Sequence, residues 1–339
     1  MAMRIVVPAL LLCVPAPVPA GGFLFAENQE NPQLITHPSN YDGSGGIVEV
    51  SVCIDETSES VEEMESSVRN AVQRWNEREA TSPNLFFGGD NDIPSGRVDF
   101  ESVVLHELGH CVGLSHPNAS SESNLDGSEQ NFTKALAGPN GALDLDSGAD
   151  GIIGSADDRR GNDINLHWFE IGVNNPFLVP ATVDGSTMSV DQGELPPGDF
   201  FAANADRQVG ADLGFFNTEA VMQQGTFGDE AQRTLGADDV ATLRLGMSGF
   251  DRIEGTSDDY QPRLLFDGVA PAESCDIMIK VSGSGLGVCK VGGVFLGGNS
   301  DHIAISQGTI ELGSASEINW FFNQTRLGDE IFADDFEGP

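Results

Sequence analysis

The apolar positions of this chain change period several times, and each period predicts an element. Ile47 to Ile54 alternates, with Val48, Val50 and Val52 on one face, as a β-strand does. From Val61 to Glu79 the spacing becomes three and four. Val61, Met64, Val68, Val72 and Trp75 then form one stripe of an amphipathic helix, with Ser58 or Ser60 available as its cap. After a polar turn, Asp99 is placed to cap a second helix from Phe100 to about Val112. Residues 117–221 keep no sustained period and read as loop-rich. Ala237 to Leu245 predicts a third helix, with Asp238 and Asp239 favourably placed at its positive N-terminal end. Residues 262–323 alternate around glycine-rich turns, which predicts β-hairpins. The pattern as a whole is α+β.

The two ends read differently. Residues 1–20 have the form of a secretory signal peptide: Arg4, an apolar run from Ile5 to Leu12, and Val18-Pro19-Ala20 before a cut. That run is too short to span a bilayer, and no later segment reaches the required length. Residues 21–45, rich in Gly, Asn, Pro and Ser, read as a flexible lead-in, and residues 326–339 as an acidic tail. The expectation is an exported, secreted monomer without membrane insertion.

Charge narrows the partners. The chain carries 53 acidic residues against 16 Lys plus Arg, a net charge of −37, while 39% of its residues are hydrophobic. There is enough apolar material for a core, and the surface repels phosphate backbones and anionic lipid. Nucleic acid is excluded as a general partner.

Four cysteines lie beyond the signal: Cys53, Cys111, Cys275 and Cys289. An even number in an exported chain favours disulfides, with three connectivities. Cys275 and Cys289 flank the turn Ser282 to Gly287 like a hairpin staple, which leaves Cys53 with Cys111. Buried free thiols are the other reading.

The pattern G-x-D-x-I-x-G-[ST]-x-D-D occurs at residues 148–158 and again at 249–259. Asp146, Asp150, Asp157 and Asp158 in the first copy, and Asp251, Asp258 and Asp259 in the second, are candidate Ca²⁺ ligands. Solvated acidic turns are the simpler account, because the second copy lacks the glycine and first ligand of an EF-hand loop.

The chemistry concentrates in His106-Glu107-Leu108-Gly109-His110-Cys111-Val112-Gly113-Leu114-Ser115-His116. His106 and His110, four apart on a helix, leave the same face one turn apart and suit one Zn²⁺. Gly113 permits a positive φ that ends the helix and turns the chain back, so His116 can complete three nitrogen ligands. Glu107 follows the first ligand directly and projects beside the metal. From there it can take a proton from a zinc-bound water and pass it to a leaving amine. Three of the chain's six histidines fall in these eleven residues, which argues against coincidence. His37, His167 and His302 lack such company and read as structural.

This stretch resembles the signature of the metzincin clan of zinc endopeptidases, HExxHxxGxxH, and Gly113-Leu114-Ser115-His116-Pro117 is most similar to the serralysin version. Ala220-Val221-Met222 resembles the Met-turn, and Leu235-Gly236-Ala237-Asp238-Asp239-Val240 resembles the helix start that follows it in matrixins. The resemblance implies a metzincin-like catalytic domain over residues 46–261, a twisted sheet with an active-site helix and a C-terminal helix. It carries a loop-rich insert at 117–221 and is followed by a β-rich region at 262–325, read as a substrate-binding appendage or an extra layer. It implies a secreted, zinc-dependent endopeptidase acting on proteins or peptides, with Met222 as an apolar base beneath the metal. The alternative is a zinc-bearing extracellular binding or adhesion protein whose cleft the insert blocks. The chain departs from the family in three ways. Only about 20 residues separate the first two helices, so the missing sheet strands are expected from the insert. Gln224 stands where serralysins and astacins place a tyrosine ligand, and no cysteine between residues 21 and 52 can act as a matrixin-like switch.

Overall fold

A computed structural model describes residues 21–26, 31, 33–116, 177–188, 207–212, 214–223, 226, 228–298 and 301–327, together with the backbone of 136–137 and 143–144. The signal-peptide reading of residues 1–20, the first Asp-rich copy, His167, and most of the insert and of the tail lie outside the described residues.

Six strands form the main sheet: β1 (Ile35–His37), β2 (Gly46–Asp55), β3 (Tyr260–Ala270), β4 (Ile277–Gly283), β5 (Gly287–Phe295) and β6 (His302–Gly313). Their order is β3-β2-β4-β6-β5, with β1 beside the first residues of β6. Every pairing is parallel except β5 with β6. The fold is therefore mixed α/β around a mostly parallel sheet, whose one antiparallel strand, β5, lies at an edge.

The helices follow the predicted pattern closely. These are α1 (Val61–Glu77), α2 (Phe100–Cys111) and α3 (Ala237–Met247), while a further short helix, Arg207–Asp212, falls in the segment read as loop-rich. Ser60 stands at the N-cap of α1 in a left-handed conformation and makes no side-chain cap bond, so neither serine caps as expected. Ser58 instead receives the Val281 amide on its hydroxyl oxygen. Asp99 does cap α2, accepting the Ser102 amide at 3.1 Å, and it also receives both arms of Arg233. The α1 stripe buries Met64, Val68, Val72 and Trp75, and the Trp75 indole donates to Leu105 O of α2. Strand β2 alternates only in its first half. From Val52 to Asp55 both faces are buried, in the part flanked on one edge by β3 and on the other by β4.

Four expectations are corrected. Among the described residues, the strands missing between α1 and α2 come not from the insert but from residues 260–313, which pair directly with β2 and with one another. These residues are thus neither an appendage nor an extra layer. They also hold one hairpin, β5 with β6, rather than a series, because β3 and β4 are parallel to the strand between them. The lead-in is knitted into the protein. Gly22–Phe23 pairs antiparallel with Leu114–Ser115, and β1 joins the sheet with His37 fully buried.

The cysteines pair as Cys53–Cys275 and Cys111–Cys289, each with Cα atoms 5.9 Å apart. The expected hairpin staple fails because β6 lies between β4 and β5. Two inter-strand spacings amount to about 9.5 Å, beyond the reach of a disulfide. Cys53 instead faces the start of β4, where Met278 is its register partner.

Candidate metal centre

Helix α2 sets two imidazoles on one face. Nδ1 of His106 donates to Val221 O at 2.6 Å, and Nδ1 of His110 donates to Leu114 O at 2.9 Å. With the proton on Nδ1, each Nε2 presents a bare lone pair. The helix then stops. Gly113 has φ of +115°, and a Cβ there would lie 2.4 Å from Thr36 O, so both the turn and the close strand require glycine. The reversed chain brings Nε2 of His116 to 3.1 Å from Nε2 of His110 and 3.3 Å from Nε2 of His106.

Lone pairs this close repel one another unless a cation sits between them. Nitrogen ligands around a tetrahedral zinc at about 2.0–2.1 Å are separated by about 3.3–3.4 Å, so the spacing suits such an ion. Among the described residues, His106, His110 and His116 are the group able to hold a metal. Burial holds all three below the usual histidine range, with His110 at about 3 under the added influence of His106. They are therefore neutral ligands at neutral pH.

Glu107 is buried beside them. Among the described residues its Oε2 has no hydrogen-bond partner. Burial pushes the carboxyl up to about 7, against a backbone hydrogen bond from Cys289. A cleft of about 420 Å³ contains the three histidines and Glu107. It is bounded by Leu24 of the lead-in, Val103 of α2, Val221 and Gln223, and Leu286 to Cys289 at the start of β5.

Met222 lies against the same helix. A Cβ on Gly109 would sit 2.2 Å from Met222 Sδ and 2.8 Å from Trp75 Cζ2, so the glycine makes room for that contact. The turn bearing Met222 is held by Asp239, whose carboxylate accepts the amides of Val221, Met222 and Gly236. Burial raises Asp239 to about 6 in spite of those three bonds. The helical pattern shows Asp239 only as an acid at a helix start; its hold on a turn 17 residues earlier has no periodic signature. Nor does the pattern place Leu286, Gly287 and Val288 at the cleft.

The other candidates separate cleanly. Asp146, Asp150, Asp157 and Asp158 lie outside the described residues, as does the Gln224 side chain. In the second Asp-rich copy the carboxylates turn inward: Asp251 accepts the Ile253 amide, Asp258 those of Phe250 and Asp251, and Asp259 that of Gly255. These groups order a turn and do not converge as a metal site. His37 and His302 are hydrogen-bonded to each other at 2.8 Å in an aromatic cluster with Tyr260 and Phe250. No helix of the described residues is long and apolar enough to cross a membrane.

Fold and site together define a mixed α/β protein with a mostly parallel sheet, two disulfides and a three-histidine group able to hold a metal ion. No family model, curated protein or solved structure matches the chain.

Proposed function

We propose that this protein is an exported zinc endopeptidase of metzincin type, whose sheet strands are delivered from the C-terminal side of the catalytic helix instead of from before it. The observation that carries the reading is the convergence of three imidazole Nε2 atoms beside a buried carboxylate with one unsatisfied oxygen. Zinc held by His106, His110 and His116 would supply a Lewis acid that polarises a peptide carbonyl and acidifies water. The chain's own groups do the rest. Glu107 takes up a proton at its free oxygen and returns it to the departing amine. Val221 O and Leu114 O keep both helix histidines in the tautomer that leaves Nε2 bare. Met222 and Gly109 give the site an apolar floor. Edge strand β5 borders a cleft open to an extended peptide, and the two disulfides suit an oxidising, extracellular setting.

The test is metal analysis together with digestion of casein by the wild type and by Glu107→Gln. The reading expects one zinc per chain in both proteins, chelator-sensitive cleavage in the wild type, and a rate reduced by about 10²–10⁴ in the variant. Full activity in Glu107→Gln, or a wild type with zinc and no cleavage, would overturn it.

A further inference from the structure

Cys111 and Glu107 stand four residues apart on α2 and so share a face of the helix. Cys111 is bonded to Cys289 of the cleft-edge strand β5. Among the described residues, strand β5 is hydrogen-bonded to the sheet on one side only, through β6. Gly313 N donates to Leu286 O, and in the register Leu312 faces Gly287 and Ile310 faces Cys289. Antiparallel ladders alternate bonded and non-bonded pairs, so the N–H of Cys289 points away from β6. It lies toward Glu107, whose carboxyl pKa the Cys289 backbone acts to lower. Two residues earlier, a Cβ on Gly287 would lie 2.7 Å from Glu107 Oε1, so the strand rests directly on the carboxylate and an added methyl would press on it. These contacts close a ring: Glu107, one turn of α2, Cys111, the disulfide, Cys289, and back to Glu107.

We infer that the Cys111–Cys289 disulfide is a positioning element for the general base, holding β5 against α2 so that the Cys289 amide fixes one oxygen of Glu107 and leaves the buried Oε2 without a partner. The inference rests on the peptidase reading for its kinetic consequence, though not for the contact itself. The Cys53–Cys275 bond provides the contrast. It joins β2 to the lead-in of β4, strands already paired by backbone hydrogen bonds, and touches nothing in the cleft.

The experiment compares C111A/C289A with C53A/C275A and the wild type, each loaded with zinc. In C111A/C289A we expect zinc retained, kcat for a peptide reduced by about tenfold or more, and KM changed by no more than roughly twofold. C53A/C275A should lose thermal stability and keep its kcat. Amide exchange at residue 289 provides a readout without activity. It should be slow in the wild type and faster in both C111A/C289A and Glu107→Ala. If C111A/C289A does not fold, Gly287→Ala with both disulfides intact should lift the strand and lower kcat in the same way. An unchanged kcat in the folded variant, or an amide whose exchange is the same in all three proteins, would overturn the inference. A wild type that holds zinc without cleaving peptides would refute the peptidase reading alone, and the exchange result would still decide this one.

Discussion

His106 donates from Nδ1 to the carbonyl oxygen of Val221 at 2.6 Å, across 115 residues of chain. The same Val221 presents its amide to Asp239, so one residue links an imidazole of the three-histidine group to a buried carboxylate at the start of α3. The orientation of His106 is thereby set from outside its own helix.

Asp239→Asn is therefore expected to weaken metal binding although residue 239 touches no ligand. An amide side chain offers one acceptor oxygen where three backbone amides now converge, and its NH₂ faces donors. Loss of such an outer partner typically costs 10–100-fold in metal affinity, and stranded buried amides cost about 1–3 kcal/mol each. Chelator competition and denaturant unfolding measure the two effects. Wild-type affinity in Asp239→Asn would show that the turn holds itself.

Gly109→Ala tests the floor of the site. The added methyl meets the mobile end of Met222 but also the rigid Trp75 ring, so overpacking should destabilise the protein by about 1–3 kcal/mol. The double variant Gly109→Ala/Met222→Ala should recover only part of that loss, because the indole contact remains. Full recovery would place all the strain on Met222.

Removing metal should lower stability as well as activity. The three imidazole Nε2 atoms converge on one point, and a ligand bound only by the folded state stabilises it in proportion to the logarithm of its concentration over Kd. The melting temperature should fall on chelation and rise again with added zinc. His116→Ala should begin at the lower value and respond to neither treatment.

The His37–His302 pair gives a pH dependence whose sign can be worked out. Burial pushes His302 down to about 4 and holds His37 well below the usual histidine range, with His302 adding to the effect on His37. Between 6.5 and about 4 the unfolded chain binds more protons than the folded one, so this pair's contribution is fully present above 6.5 and is lost as pH falls through that window. Glu101 and Glu219, raised to about 7 by burial, act in the opposite direction, their folded forms holding protons that the unfolded chain has released. The clean measurement is thus the difference between wild type and His302→Gln. The wild type should lose stability relative to the variant by up to about 1.4 kcal/mol per pH unit for each proton involved. Parallel profiles from pH 7 to 4 would refute the assignment.

Much of the local architecture is legible from spacing alone. The alternation at Ile47 to Ile54, the three-and-four stripe from Val61 to Trp75 and the Asp99 cap each express geometry within one element, where the backbone repeat dictates which side chains share a face. For the same reason the i, i+4 histidines, the glycine that reverses the chain and His116 stand out within eleven residues. What spacing does not carry is which strand lies beside which. Cys53 meets Cys275 across 222 residues and Cys111 meets Cys289 across 178, because β4 pairs with β2 and β6 with β5. That arrangement follows from burying both faces of β2 and filling both of its edges, a requirement on the whole sheet that leaves no periodic trace in any one segment. Spacing alone marks the three-histidine group able to hold a metal, the Glu107 beside it and the helix that presents them. What orients them, Val221 and Asp239 on one side and the Cys289 strand on the other, comes from packing between elements far apart in the chain, which no local spacing records.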